Sequence, residues 1–227
     1  MILLKDSTSP KIQSIRSSRH YFLDYALEND AIYVHWGWSP QAQSDIKTLG
    51  INNINGLTYE GSYFFRDTTI KGIGYEHKGY SKMESLRKAT EKLKYRTTTE
   101  GGNLLEYDAK SLDLGNFEGV TSATMVEIPY SGSYSAKFFY DEETELIDYN
   151  PKERVKTKNI IVYNVKYKTI DNYGRQDMEN IGAGQGYFIS EGKAVPITWE
   201  KKTRSGKTTY KYQNGETLVV SSRREEP

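Results

Sequence analysis

Five residues have types and spacings that could do chemistry: Arg16, Arg19, His35, Ser39 and Arg66. His35 closes the apolar run Ala31-Ile32-Tyr33-Val34. An imidazole at a strand end can act as a base or a ligand contact near neutral pH. Arg16 and Arg19 lie three apart, just ahead of a helical pattern. Two guanidiniums beside the free N–H groups of a helix start would hold a phosphate or carboxylate. Arg66 ends the aromatic run Ser62-Tyr63-Phe64-Phe65 and is placed either to face the same crevice or to pair with Asp67. Ser39 precedes Pro40 and reads as a helix N-cap on the rim. It makes a poor nucleophile, because Pro40 offers no N–H to an oxyanion hole and is not the small residue that a strained elbow needs. Each of these residues also has an ordinary structural reading: a hydrogen-bonded strand-end histidine, salt-bridging arginines, a capping serine.

Positioning them requires a strand followed at once by a helix, an arrangement that places ligands at the carboxyl end of a sheet. Ala31 to Trp36 reads as a buried strand. Ser39-Pro40 starts a helix whose inner face is Ala42, Ile46 and Leu49, with Gly50 as its stop. Upstream, Ser17 or Ser18 is placed to cap a helix carrying Tyr21, Phe22, Tyr25 and Ala26 on one face, with His20 exposed at its start. Ile2-Leu3-Leu4 reads as a strand, so the start of the chain is a strand–helix–strand unit. Ser62 to Arg66 is a further strand and a glycine-rich loop follows it. Ser81 and Glu84 form a capping box for a helix lined by Met83, Leu86, Thr90 and Leu93.

Beyond Gly101 the pattern turns to strands. Ala123 to Ile128 and the hairpin Ser135–Tyr140/Leu146–Tyr149 lead to Asn150-Pro151, a break. Asn159 to Lys168 is the most β-branched stretch and reads as a central strand. Gln185–Ser190 and Ala194–Trp199 flank Glu191-Gly192-Lys193 as a hairpin, with Pro196 pushing its strand to an edge. Gln213-Asn214-Gly215 is a second hairpin turn. Gly182-Ala183-Gly184-Gln185-Gly186 leads into a strand and not a helix, so it is no dinucleotide loop and reads as a turn. The fold class is α/β (α+β): residues 1–120 form a three-layer-like mixed sheet with helices, and residues 121–227 form a smaller β-rich domain.

The bulk numbers narrow the function. The chain has 227 residues, 19 Tyr, no Cys and a net charge of +1, with a mean hydropathy of −0.73. A balanced charge excludes no small ligand but gives no basic excess for nucleic acid. With three His and no Cys, and no tight ligand spacing among His20, His35 and His77, no metal and no cofactor is expected. No run approaches the ~18–20 apolar residues of a membrane span, and Met1-Ile2-Leu3-Leu4 is too short for a signal peptide. Trp36, Trp38, Tyr33 and Tyr63 could supply an aromatic platform for sugar rings, with part of that set used for packing.

Ile15-Arg16-Ser17-Ser18-Arg19-His20-Tyr21-Phe22, the segment Asp30 to Pro40, Phe65-Arg66-Asp67, Ala183-Gly184-Gln185-Gly186-Tyr187-Phe188 and Pro196-Ile197-Thr198-Trp199 keep order and spacing with one known family. Over most of its length the chain resembles the YerB-type lipoproteins of Gram-positive bacteria. The resemblance implies an extracytoplasmic, membrane-associated protein with no established activity. The family pattern begins with a signal peptide, a lipidated Cys and further strands, which this chain reads as lacking. The family's Pro-His-Asn-like motif is replaced here by Glu76-His77-Lys78, which weakens any inherited role for His77. The expectation is a non-enzymatic envelope-associated binding or scaffolding module. Its crevice of Arg16, Arg19, His35, Ser39 and Arg66 would take an anionic or glycan ligand or an envelope protein. Its membrane contact would come only through an anchor. The alternative is a hydrolase or transferase acting on a cell-wall or phosphorylated substrate from the same crevice, which would need a carboxylate partner for His35.

Overall fold

Ser39 caps a helix in the manner its sequence predicts. Its Oγ accepts from Ala42 N at 3.3 Å, Pro40 occupies the first turn, and Gly50 (φ +62°) ends the segment. This is a computed structural model describing residues 11–13, 15–109, 112–131, 134–149 and 155–221. The predicted strand Ile2-Leu3-Leu4, the Asn150-Pro151 break and residues 222–227 of the charged tail lie outside the described residues.

In chain order the elements are α1 (His20–Glu28), β1 (Tyr33–His35), α2 (Pro40–Thr48), β2 (Asn53–Asn55), α3 (Gly56–Tyr59), β3 (Phe64–Arg66), a 3-10 turn (Tyr75–Lys78), β4 (Gly79–Ser81) and α4 (Met83–Leu93). Then follow β5 (Glu106–Asp108), a 3-10 turn (Leu114–Asn116), β6 (Thr121–Ser122), β7 (Met125–Ser131), β8 (Tyr134–Asp141), β9 (Leu146–Tyr149), β10 (Val155–Thr157), β11 (Asn159–Tyr163), β12 (Lys166–Thr169), β13 (Gln176–Glu179), β14 (Gly182–Ser190), β15 (Lys193–Lys201), β16 (Thr209–Tyr212) and β17 (Val219–Ser221). The mixture of helix and strand is the expected α+β class.

The chain divides into two compact units, and it enters the first one three times. That unit takes in the sequence up to Gly102, then Tyr167–Met178, then Thr203–Lys207; the remainder forms the second.

In the first unit β1 and β2 pair in parallel across α2, with His35 opposite Asn55. Side chains alternate along a strand, and β1 uses both faces. Tyr33 packs with Leu23 and Ala26 of α1 and Ile46 of α2. Val34 and Trp36 join Phe64 of β3 and Met83, Leu86 and Ala89 of α4. The small sheet is therefore sandwiched between helices. β3 and β4 pair antiparallel, Arg66 opposite Gly79.

Two helix starts differ from their predicted caps. Arg19, not Ser17 or Ser18, is the N-cap of α1 and makes no side-chain cap bond. The serines are used elsewhere: Ser18 bridges Trp38, and Ser17 Oγ donates to Trp36 O at 3.2 Å. Ser81 likewise does not cap α4, because Lys82 holds that position and Ser81 Oγ donates to Tyr63 O at 2.7 Å. The α4 stripe itself is as expected, and Lys94 ends the helix at φ +55°.

The second unit has a sheet ordered β11-β14-β15-β16, with β6 also on β15, and a second sheet ordered β10-β9-β8-β7. β17 and β5 pair in parallel. The two predicted tight hairpins are present, turning at Glu191-Gly192 (φ +50°, +69°) and at Gly215 (φ +88°). Three expectations are corrected. β11 is an edge strand, not a central one, since among the described residues it pairs with β14 alone. β15, which carries Pro196, is interior. Pro196 is tolerated because it falls between β6, which pairs with Lys193 and Ala194, and β16, which starts pairing at Ile197; among the described residues no strand on that side needs its missing N–H. Gly182 to Gly186 is strand and not turn. Its glycines admit close neighbours: a Cβ on Gly186 would meet Val162 O at 2.4 Å, and one on Gly184 would meet Trp199 Nε1 at 2.7 Å.

Candidate functional site

The carboxyl end of β1 is closed. Residues 16–18 run across it: Trp36 N donates to Arg16 O at 2.9 Å, Ser18 N to Gly37 O at 2.8 Å and Ser39 N to Ser18 O at 3.1 Å. Asn55 Oδ1 accepts from Gly37 N at 2.9 Å. Gly37 (φ +80°) makes the turn beneath this plug.

His35 is sealed below that closure and is only 1% exposed, so it does not stand on an open rim. Its Nδ1 is 2.8 Å from Gly37 O and its Nε2 is 3.0 Å from Asn53 Oδ1. The ring stacks on Tyr33 at 5.1 Å. Burial pushes the imidazole below its ordinary value of 6.5, against the two hydrogen bonds. With one ring nitrogen held at a backbone oxygen, the other at a side-chain oxygen, and the ring buried, neither nitrogen is open to a ligand. Because the folded ring resists protonation and the unfolded ring does not, stability is lost as pH falls from 6.5 toward the folded value. Urea unfolding of wild type and His35→Gln is expected to show this acid-side loss in wild type and a flatter profile in the variant below pH 6.5.

Ser39 is buried in its capping role. Arg19 donates to Ser18 O at 3.0 Å and lies toward Tyr21 and Tyr33, on whose hydroxyls its charge acts. These three residues belong to the α1–α2 side of β1.

Arg16 and Arg66 are gathered on the opposite side, around Trp36. The Arg66 guanidinium lies 3.9 Å over the Trp36 ring and 4.3 Å from the Tyr75 ring. Its Nε donates to Glu60 Oε1 at 3.0 Å and its Nη1 to Tyr75 O at 3.0 Å. It therefore pairs with Glu60 and not with Asp67, whose carboxylate is taken by Lys11. The stack is built on glycines: a Cβ at Gly56 would come within 2.5 Å of Trp36 Cδ2, and one at Gly79 within 2.7 Å of Trp36 Cε3. Arg16 reaches the same 3-10 turn that carries Tyr75 and donates to the ring of His77. Trp36 Nε1 and Asn55 Nδ2 are buried donors with no partner among the described residues.

Tyr75 carries no sequence signal of a site, since it sits in the glycine-rich stretch that reads as loop, and Glu60 carries none just ahead of the predicted strand Ser62 to Arg66. Trp36 was legible as an aromatic, and the glycines at 56 and 79 were the available sign that something large lies against the backbone there. His20, expected exposed, is 9% exposed, and its Nε2 is 2.7 Å from Asp177 Oδ1. The segment Tyr167–Met178 belongs to the same unit and covers it. This contact holds the Asp177 carboxyl below its usual range. Among the described residues no group of three His, Asp or Glu could hold a metal ion, and no helix is long and apolar enough to cross a membrane.

Two family models match in tandem. The N-terminal domain of the protein of unknown function DUF3048 covers residues 1–96, and its C-terminal domain covers residues 126–222. This chain belongs to the DUF3048 family. The Bacillus subtilis (strain 168) protein "Putative lipoprotein YerB" is 28% identical over 195 residues, covering 82% of this DUF3048 chain and 58% of that protein. The chain thus spans less than two thirds of this relative's length. The crystal structure of the YerB protein from Bacillus subtilis shares the fold, with a TM-score of 0.73 at 22% identity, over 96% of this chain and 76% of that one. All five candidate residues lie in the DUF3048 N-terminal domain.

Proposed function

We propose that the protein is a non-enzymatic binding or scaffolding module of the cell envelope, and that Arg16, Arg66, Tyr75 and His77 around Trp36 hold an anionic or glycan ligand. The observation that carries this reading is the guanidinium of Arg66 stacked on two aromatic rings, one of them Tyr75 of the 3-10 turn whose His77 accepts from a second arginine, Arg16. A stacked guanidinium has lost its rotamer freedom before a ligand arrives, and preorganisation of that kind favours affinity. Tyr75 is 63% exposed and offers a ring face to a sugar. Arg16 is exposed and offers charge. The name of the Bacillus relative, "Putative lipoprotein YerB", supports an envelope location.

The test is calorimetric titration with a sulfated oligosaccharide and with its neutral counterpart. Arg16→Gln removes an exposed charge and leaves the Trp36–Arg66–Tyr75 stack intact. Its affinity for the sulfated ligand is expected to fall about tenfold, as loss of one charge-assisted hydrogen bond would give. Wild-type binding is expected to weaken with salt. Equal affinity in wild type and variant contradicts the reading.

A further inference from the structure

The second unit has a cavity of about 320 Å3 between β6, the Glu191-Gly192 turn and the end of β8. It is far along the sequence from the Trp36 face and belongs to no site described above. Its walls are set by packing. Gly192 sits under Tyr140, so that a Cβ there would be 2.8 Å from the ring, and Thr121 and Ser122 pair with Ala194 and Lys193. The Glu191 carboxylate is engaged by Lys158 at 3.7 Å.

Among the described residues the other polar side chains of the lining make no hydrogen bond or ion pair. Among the described residues neither the Glu142 carboxylate nor the Lys193 ammonium has an ion-pair partner, and no bridge joins them to each other. Two opposite charges thus line one small cavity without meeting, with the hydroxyls of Thr121 and Ser122 beside them. An ion of either sign would satisfy one and leave the other. A molecule carrying both charges at a fixed separation satisfies both. We propose that this cavity binds a zwitterion of the amino-acid class, a free amino acid or a short peptide, with its ammonium on Glu142 and its carboxylate on Lys193. Tyr140 forms the apolar wall against which the ligand's carbon skeleton lies.

The test is a 15N–1H NMR titration of the full chain with L-alanyl-L-alanine, its N-acetyl form and its C-terminal amide. Amide shifts are expected at Thr121, Ser122, Glu142, Gly192 and Lys193 with the free dipeptide. Each blocked form is expected to bind about tenfold more weakly. Glu142→Gln should abolish discrimination against the N-acetyl form while keeping discrimination against the amide, and Lys193→Gln should do the reverse. The same spectra report whether each variant is folded. Absence of shifts with millimolar dipeptide, equal binding of the three forms, or variants that lose both discriminations together each overturn the proposal.

Discussion

Replacing Arg204 with alanine is expected to destabilise the first unit by about 3–5 kcal/mol, the scale for removing one partner of a buried ion pair. Arg204 lies in the short segment Thr203–Lys207, which joins that unit from the far end of the sequence. Its Nε donates to Asp24 Oδ1 at 2.6 Å, its Nη1 to Asp45 Oδ2 at 2.7 Å and its Nη2 to His20 O at 3.1 Å. One guanidinium thus ties α1 to α2 and fills a carbonyl at the first turn of α1. The Asp24 side chain is only 4% exposed and that of Asp45 18%. Without the arginine two carboxylates would face each other in a poorly solvated place, where a charge is costly unless paired. Thermal unfolding would register a fall of about 10 °C for a chain of this size. Pairing Arg204→Ala with Asp24→Asn should recover part of the loss, because the penalty is the stranded charge more than the missing bond. A change within about 0.5 kcal/mol would mean that the clamp contributes nothing.

Gly186→Ala is expected to be the most damaging small substitution in the second unit. The new methyl would lie 2.4 Å from Val162 O and 2.9 Å from Tyr163 Cα, so its obstacle is the backbone of the neighbouring strand and not a movable side chain. Gly186 pairs with Tyr163 on one side and Ile197 on the other. Relief requires pushing β11 away from β14, which breaks ladder hydrogen bonds and opens the core around Phe188 and Val195. Overpacking ordinarily costs about 1–3 kcal/mol, and this site lies at the upper end because neither neighbour can rotate away. Denaturant unfolding of Gly186→Ala checks it; a variant as stable as wild type would show that the two strands can separate freely.

Local chemistry was legible in the sequence, and long-range closure was not. Ser39-Pro40 and Gly50 delimit α2 because each acts through its own neighbours. Glu191-Gly192 and Asn214-Gly215 turn where they read as turns for the same reason. Tyr33 and Trp36 were readable as buried residues of one strand. The error was in treating the end of that strand as open. Its closure comes from Ser17 and Ser18, which look like helix caps, but Ser18 makes backbone bonds to Gly37 and Ser39 and Ser17 Oγ donates to Trp36 O. His20 is covered by a segment containing Asp177, 157 residues away, and no periodicity near residue 20 carries that information. Gly184 and Gly186 look like turn residues, yet they serve the close approach of Trp199 and Val162. The composition of β11 suggests a central strand, but its β-branched residues are all half-buried at an edge.

The consequence for function is a division across β1. His35, Ser39 and Arg19 serve the packing of α1 and α2, while Arg66 stacks on Trp36 and Tyr75 and Arg16 bonds His77 of the same 3-10 turn. Titrating Arg16→Gln and His35→Gln side by side with the same sulfated oligosaccharide tests that division most directly. The expected result is about tenfold weaker binding in Arg16→Gln and wild-type affinity in folded His35→Gln. Binding that is lost in His35→Gln and retained in Arg16→Gln would contradict it.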